Sequence, residues 1–151
     1  MSADAEARAI ITRLNLSPHP EGGWFKETWR APLLDGEDDD ARSPGTAILY
    51  LLEAGQRSHW HKVVDAAELW MWHAGNPIAL GHAADDAGPV NMVALGPDVL
   101  GGQQPQHLIP ASHWQAADAK DGWALVSCVV VPGFAFSSFV LAAPDWRPGA
   151  A

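Results

Sequence analysis

The sequence predicts an all-β sandwich or barrel of short strands preceded by one short helix. Three observations carry this expectation. Beyond Pro18 the apolar runs are brief, and each is closed by Gly, Pro, Asn or Asp, as in a chain that turns every few residues. Only the first 15 residues show helical spacing. At 151 residues the chain makes one ordinary domain, long enough to bury roughly 70% of its unfolded surface, so neither a disulfide nor a metal is needed merely to keep it folded.

The elements follow in order. Ser2 caps a helix whose apolar residues Ile10, Ile11 and Leu14 share a face, and Asn15 and Pro18 end it. Strands are expected at 24–30, 47–52, 59–62, 78–81, 90–95, 107–109, 124–131 and 134–141. Residues 65–75 admit two readings. Asp65 and Glu68 have capping-box spacing for a two-turn helix. A strand would instead place Glu68, Trp70 and Trp72 on one face and Leu69, Met71 and His73 on the other; the strand is expected, because aromatic side chains suit a pleated surface. Residues 35–42 form an acidic loop, and there is no internal repeat. The organisation is a helix and lead-in at 1–17, a β domain at 18–143 and a tail at 144–151.

Asp and Glu (18) outnumber Lys and Arg (9), and the net charge of -9 repels phosphate backbones and anionic lipid, so neither nucleic acid nor membrane is an expected partner. No secretion signal and no run of about 20 apolar residues is present, and a cytoplasmic location is expected. Cys128 stands alone in an apolar run, which excludes a disulfide framework and suits a buried thiol. The 8 Trp residues bring large apolar area and one N–H donor each, and some are expected to line a cavity or an interface.

The chemistry-bearing pattern is His59-Trp60-His61 followed by Glu68 and Gly75. Two imidazoles two residues apart on a strand face one side, and a carboxylate from the next strand can meet them there. One reading is a facial set of two histidines and one carboxylate on a divalent ion. The other is a metal-free polar pocket in which the imidazoles are hydrogen-bonded. The pattern resembles the first signature of the cupin superfamily, Gly-x5-His-x-His-x3-4-Glu-x6-Gly. Gly55 precedes His59 by three intervening residues instead of five, and six residues separate His61 from Glu68. In the second signature, Pro-x-Gly-x2-His, this chain reads Pro110-Ala111-Ser112-His113-Trp114-Gln115, so Gln115 takes the fourth ligand position.

Longer blocks are similar to one group of single-domain cupins, domain of unknown function 985. They are His19-Pro20-Glu21-Gly22-Gly23-Trp24-Phe25-Lys26-Glu27-Thr28-Trp29-Arg30, then Ser58 to Lys62 with Glu68-Leu69-Trp70, residues 105–116, and Val131-Pro132-Gly133-Phe134-Ala135-Phe136. Met71 stands where that family often has histidine, and Lys62 where it usually has arginine.

The resemblance implies a double-stranded β-helix, or jelly roll, with a pocket between its sheets, pairing as a homodimer. It implies a metal set of His59, His61, Glu68 and Gln115, or His61 as general base with Glu68 orienting it or acting as acid. Glu27, Lys62, Trp70, Trp72 and Trp114 are the candidate ligand contacts, with aromatic walls against a sugar-like or other small polar molecule. Isomerase- or epimerase-like chemistry is the leading expectation, and a non-catalytic binding or sensing cupin is the alternative. The Glu21-Gly22-Gly23 turn reads as structural, and Glu27 and Arg30, three apart, are expected to face opposite ways. Asp65, His73, His82, His107 and His113 read as surface or rim groups.

Overall fold

A computed structural model describes residues 1–150. Helix α1 spans Ala3–Leu14. Eleven strands follow: β1 (Ser17–Pro18), β2 (Trp24–Arg30), β3 (Thr46–Leu52), β4 (Arg57–Val63), β5 (Ala67–Gly75), β6 (Ile78–Ala83), β7 (Asn91–Leu95), β8 (Gln106–Ile109), β9 (Trp114–Asp118), β10 (Ala124–Val131) and β11 (Phe139–Leu141). They form two sheets, ordered β1-β2-β3-β10-β5-β8 and β11-β4-β9-β6-β7, with antiparallel pairing throughout. The result is a double-stranded β-helix with one N-terminal helix outside it.

The ends of α1 are set locally. The Ser2 hydroxyl accepts the Ala5 N–H at 3.2 Å, and Asn15 adopts φ 56°, returning its N–H to the last turn. Asp4 and Glu6 lie in the first turn and Arg13 in the last, each matching the helix dipole. Ala7 and Ile11 pack on Leu51 and Trp123 of the six-stranded sheet's outer side. Ser2→Ala is expected to cost about 1 kcal/mol, read as a lowered urea midpoint with unchanged slope.

Between the sheets the core contains Tyr50, Leu52, Trp70, Ile78, Leu80, Leu95, Ile109 and Val126. On the outer side of the five-stranded sheet, Trp60 and Trp114 are covered by the segment after Ala143. Trp146 packs on Trp114 with ring centres 4.5 Å apart and planes tilted by 46°.

Three features depart from expectation. Residues 134–141 are not one strand: Phe136–Ser138 is a 3-10 turn, and only Phe139–Leu141 pairs, with β4. The chain must cross here from β10 in one sheet to β11 in the other, which takes it off the ladder. Strand β9 was not anticipated, because Trp114, Gln115, Ala116 and Ala117 are buried on both faces and show no alternation. Lastly, β2 and β4 each carry a one-residue bulge. Against β3, β2 gains a residue between Glu27 and Trp29, and against β9, β4 gains one between Ser58 and His61. Residues 67–75 form a strand, as the aromatic pattern suggested.

Candidate functional site

A cavity of about 470 Å³ opens between the sheets at one end of the sandwich. Its walls come from the inner faces of β2, β3 and β10, including Phe25, Glu27, Ile48 and Cys128, and Phe134 to Phe136 close one side. His19 also lines it.

His19 is delivered by the turn that joins β1 to β2. The His19 N–H donates to the Gly23 carbonyl at 2.9 Å, and the Gly22 N–H to the His19 carbonyl at 3.0 Å. Gly22 has φ 110°, and a Cβ there would sit 2.1 Å from the Arg57 carbonyl oxygen. Only glycine lets this turn lie against β4. The consequence is that Glu21 enters the interior, where it is 8% exposed.

Four ionisable side chains then meet. Glu21 Oε2 lies 3.0 Å from His61 Nε2, and Glu21 Oε1 lies 3.8 Å from His19 Nδ1. His61 Nδ1 stands 2.7 Å from the His59 carbonyl, so it must carry a proton to donate. Its Nε2 faces a carboxylate oxygen at bonding distance, and that contact also needs a proton. The pair therefore holds one shared proton, as carboxylic acid with imidazole or as carboxylate with imidazolium. His19 differs: its Nδ1 accepts the Glu21 N–H at 3.1 Å, so in the neutral ring the proton sits on Nε2.

Burial shapes the titration. It pushes Glu21 up to about 7, with His19, Ser58 and Tyr50 opposing. Burial likewise pushes Glu68 up to about 7, opposed by His61 and reinforced by Glu21. It lowers His61 against the pull of Glu68, and lowers His19 against the pull of Glu21. Tyr50 donates its hydroxyl to the Gly22 carbonyl and holds the turn in place.

Glu68 is fixed by a chain of side-chain bonds. Trp70 Nε1 donates to Gln115 Oε1 at 2.6 Å, and Gln115 Nε2 donates to Glu68 Oε1 at 3.0 Å. The tryptophan thereby sets the orientation of the amide and presents its NH2 to the carboxylate.

Thus the structure brings together His61, Glu68, Gln115 and Trp70. It does not bring His59 to them. The β4 bulge gives His61 the face of Ser58, and His59 turns away, donating from Nε2 to the Ala143 carbonyl at 2.8 Å. Lys62 and Trp114 are on the outer face, where Lys62 Nζ sits 4.6 Å over the Trp114 ring. Trp72 packs on the core and donates to the Asn76 carbonyl at 2.9 Å, and Trp70 is wholly buried, so none of the three Trp residues lines the cavity. Glu27 does line it, with Arg30. Those two do not face opposite ways: the β2 bulge brings them to one side, in a two-point pair at 2.6 and 3.2 Å.

A metal held by His59, His61, Glu68 and Gln115 does not fit this arrangement. His59 is directed away, His61 Nε2 is engaged by Glu21, and Gln115 is engaged by Trp70 and Glu68. Among the described residues no three His, Cys, Asp or Glu side chains are grouped as they stand to hold an ion. Sequence reasoning missed His19 and Glu21 as site residues. Their signal was a histidine and a carboxylate on a two-glycine turn at the head of β2.

Two sheets rolled around an interior pocket define the cupin class. The chain belongs to the family described as cupin superfamily (DUF985), which it matches over residues 8–142. It is similar to a Shewanella oneidensis protein known from its crystal structure, at 33% identity and TM-score 0.81, covering 91% of this chain and 84% of that one. A hypothetical protein from Leishmania major is 31% identical with TM-score 0.79, covering 91% of this chain and 87% of that one. An uncharacterised Klebsiella pneumoniae protein with a double-stranded β-helix domain, 14% identical with TM-score 0.56 over 94% of this chain and 97% of that one, shares the fold. Comparison with curated proteins gave no match. No helix is long and apolar enough to cross a membrane among the described residues.

Proposed function

We propose that the cavity admits a small polar molecule bearing a carbonyl or hydroxyl oxygen, and that His19 moves a proton on it in an isomerase- or epimerase-like reaction. The observation that carries this reading is the proton-sharing Glu21–His61 pair, 3.0 Å apart and buried, directly behind a cavity-lining imidazole. His19 Nε2–H donates to the ligand oxygen. As that proton is transferred, Nδ1 lets go of the Glu21 N–H and takes the single proton that Glu21 and His61 share, from the Glu21 carboxyl 3.8 Å away before the two close up; Glu21 is left as carboxylate beside a neutral His61, and the ligand's C–H proton next to the oxygen passes to water in the cavity. The reverse sequence restores the enzyme. Glu68, held by Gln115, balances the charge of the cluster. In this reading His19 is the catalytic residue, and Glu21, His61 and Glu68 act through it.

A second reading is a binding cupin without turnover. It is favoured by the mostly apolar wall and by the ion pair that already satisfies Glu27 and Arg30. One experiment separates the two. Keto acids, hydroxy acids and sugars are screened by thermal shift, where a specific ligand at one hundred times its Kd adds about 2.7 kcal/mol. Hits are then incubated in deuterated water and read by NMR. Turnover predicts deuterium incorporation at carbon that falls about 100-fold or more in His19→Gln and Glu21→Gln. Stabilisation without incorporation in the unaltered protein would decide for the binder.

A further inference from the structure

Away from the cavity, three histidines gather at another rim of the sandwich. On β6, Ile78 and Leu80 are core and His82 takes the next inward position; on β8, Ile109 is core and His107 takes the next. The pairing agrees: His82 lies opposite Gln115 and His107 opposite Trp70, both inward, and directly paired residues share a face. His113 comes from the turn before β9. His107 Nε2 lies 3.3 Å from His82 Nδ1, with ring centres 5.0 Å apart, and the His113 ring centre is 6.0 Å from that of His82.

We propose that His82, His107 and His113 form a binding site for a zinc-type divalent ion, separate from the His61–Glu68 cluster. The spacing suits it. Two nitrogens each about 2.0–2.1 Å from a tetrahedral zinc stand about 3.3–3.4 Å from each other, and the His82–His107 pair is already at 3.3 Å. The tautomer suits it as well. Gln104 Oε1 accepts from His107 Nδ1 at 2.9 Å, which leaves the lone pair on Nε2, the nitrogen that faces His82. Such an outer hydrogen bond is what orients a metal-binding imidazole. His113 supplies the third ligand by a ring rotation: its Nδ1 is buried and has no hydrogen-bond partner, so no hydrogen bond at that nitrogen opposes the turn. Until that rotation the three are not a complete ligand group. Burial keeps His82 and His107 below the usual histidine range, and the neighbouring imidazoles add to this at His82, so both rings are neutral. His82 Nδ1 donates to His107 Nε2 as the two stand, and an ion entering between them takes the place of that proton, which His82 carries on Nε2 instead. Three imidazoles without a carboxylate select zinc, nickel or copper over magnesium or calcium, and leave a fourth position open to water or a small anion.

The test is titration of the full chain with zinc chloride against a chromogenic chelator, repeated with cobalt(II) to read ligand geometry from its visible absorption. One ion per chain is expected in the unaltered protein and in His61→Gln. His82→Gln and His107→Gln should weaken binding at least about tenfold, and Gln104→Ala by about tenfold. Because a rim substitution can disturb packing, histidine-ring NMR of the unaltered protein supplies a second readout: zinc should shift the rings of His82, His107 and His113 and leave those of His19 and His61 in place. Absence of stoichiometric binding, or binding lost in His61→Gln and kept in His82→Gln, would overturn the site.

Discussion

Trp70→Ala is expected to lower the unfolding free energy by about 3–5 kcal/mol, the range for deleting a large buried ring. Trp70 is fully buried at the centre of the core and meets Tyr50 edge-on, with ring centres 6.0 Å apart. Packing is only part of the loss. Its N–H holds Gln115 Oε1 at 2.6 Å, and truncation leaves that buried oxygen without a donor. Trp70→Phe separates the two effects, because it keeps an aromatic ring and removes the N–H. It is expected to cost about 1–3 kcal/mol, the size of an orphaned buried polar group. Both variants should also release Gln115 Nε2 from its grip on Glu68, a bond that stabilises the ionised carboxylate. Glu68 should then titrate still higher, which carbon-detected NMR of the carboxyl group would read. Urea unfolding at one pH supplies the stabilities. If Trp70→Phe matched the unaltered protein in both stability and Glu68 titration, the Trp70–Gln115–Glu68 chain would have no energetic meaning.

The two-sheet fold was legible because the signals that specify it are local. Turn residues bound most of the strands, Ser2 and Asn15 bound the helix, and aromatic residues at 68–72 decided strand over helix. The site was legible only in half. His61 and Glu68 lie where alternation and the cupin-like spacing put them, and Gln115 pairs directly opposite His61. His59 does not join them, since side-chain parity along a strand holds only while the ladder is regular. One extra residue in β4 moves the partner face from His59 to Ser58, and a bulge has no reliable mark in a single sequence. The same error, in β2, hid the Glu27–Arg30 pair. Glu21 was hidden for another reason. Its turn reads as an ordinary glycine turn, and only the three-dimensional approach of Gly22 to Arg57 shows that the glycines serve to carry a carboxylate inside.

Glu68→Gln is expected to flatten the pH dependence of stability, and the sign follows from burial. In the unfolded chain Glu68 ionises near 4.5, whereas in the folded protein it keeps its proton up to about 7. The native state therefore binds more protons than the unfolded state between those values, and stability present below 4.5 is lost as pH rises through 7. A shift of this size is worth on the order of 3 kcal/mol across the window. Glu21, also raised to about 7, acts in the same direction. His19 and His61, both lowered, act in the opposite one: they contribute stability above 6.5 that is lost as pH falls through their folded values. The curve of the unaltered protein is a sum of these, so its shape alone is not diagnostic. The difference between it and Glu68→Gln is diagnostic, because the histidines and Glu21 remain in both. Glutamine matches the size of the side chain, and its carbonyl oxygen still accepts from Gln115 Nε2. Urea unfolding at several values from pH 4.5 to about 8 should show the variant gaining on the unaltered protein by up to about 3 kcal/mol at the alkaline end. A difference that stays constant with pH would mean that Glu68 ionises as an ordinary exposed carboxylate, and the buried cluster of two carboxyls and two imidazoles behind the cavity would have to be abandoned.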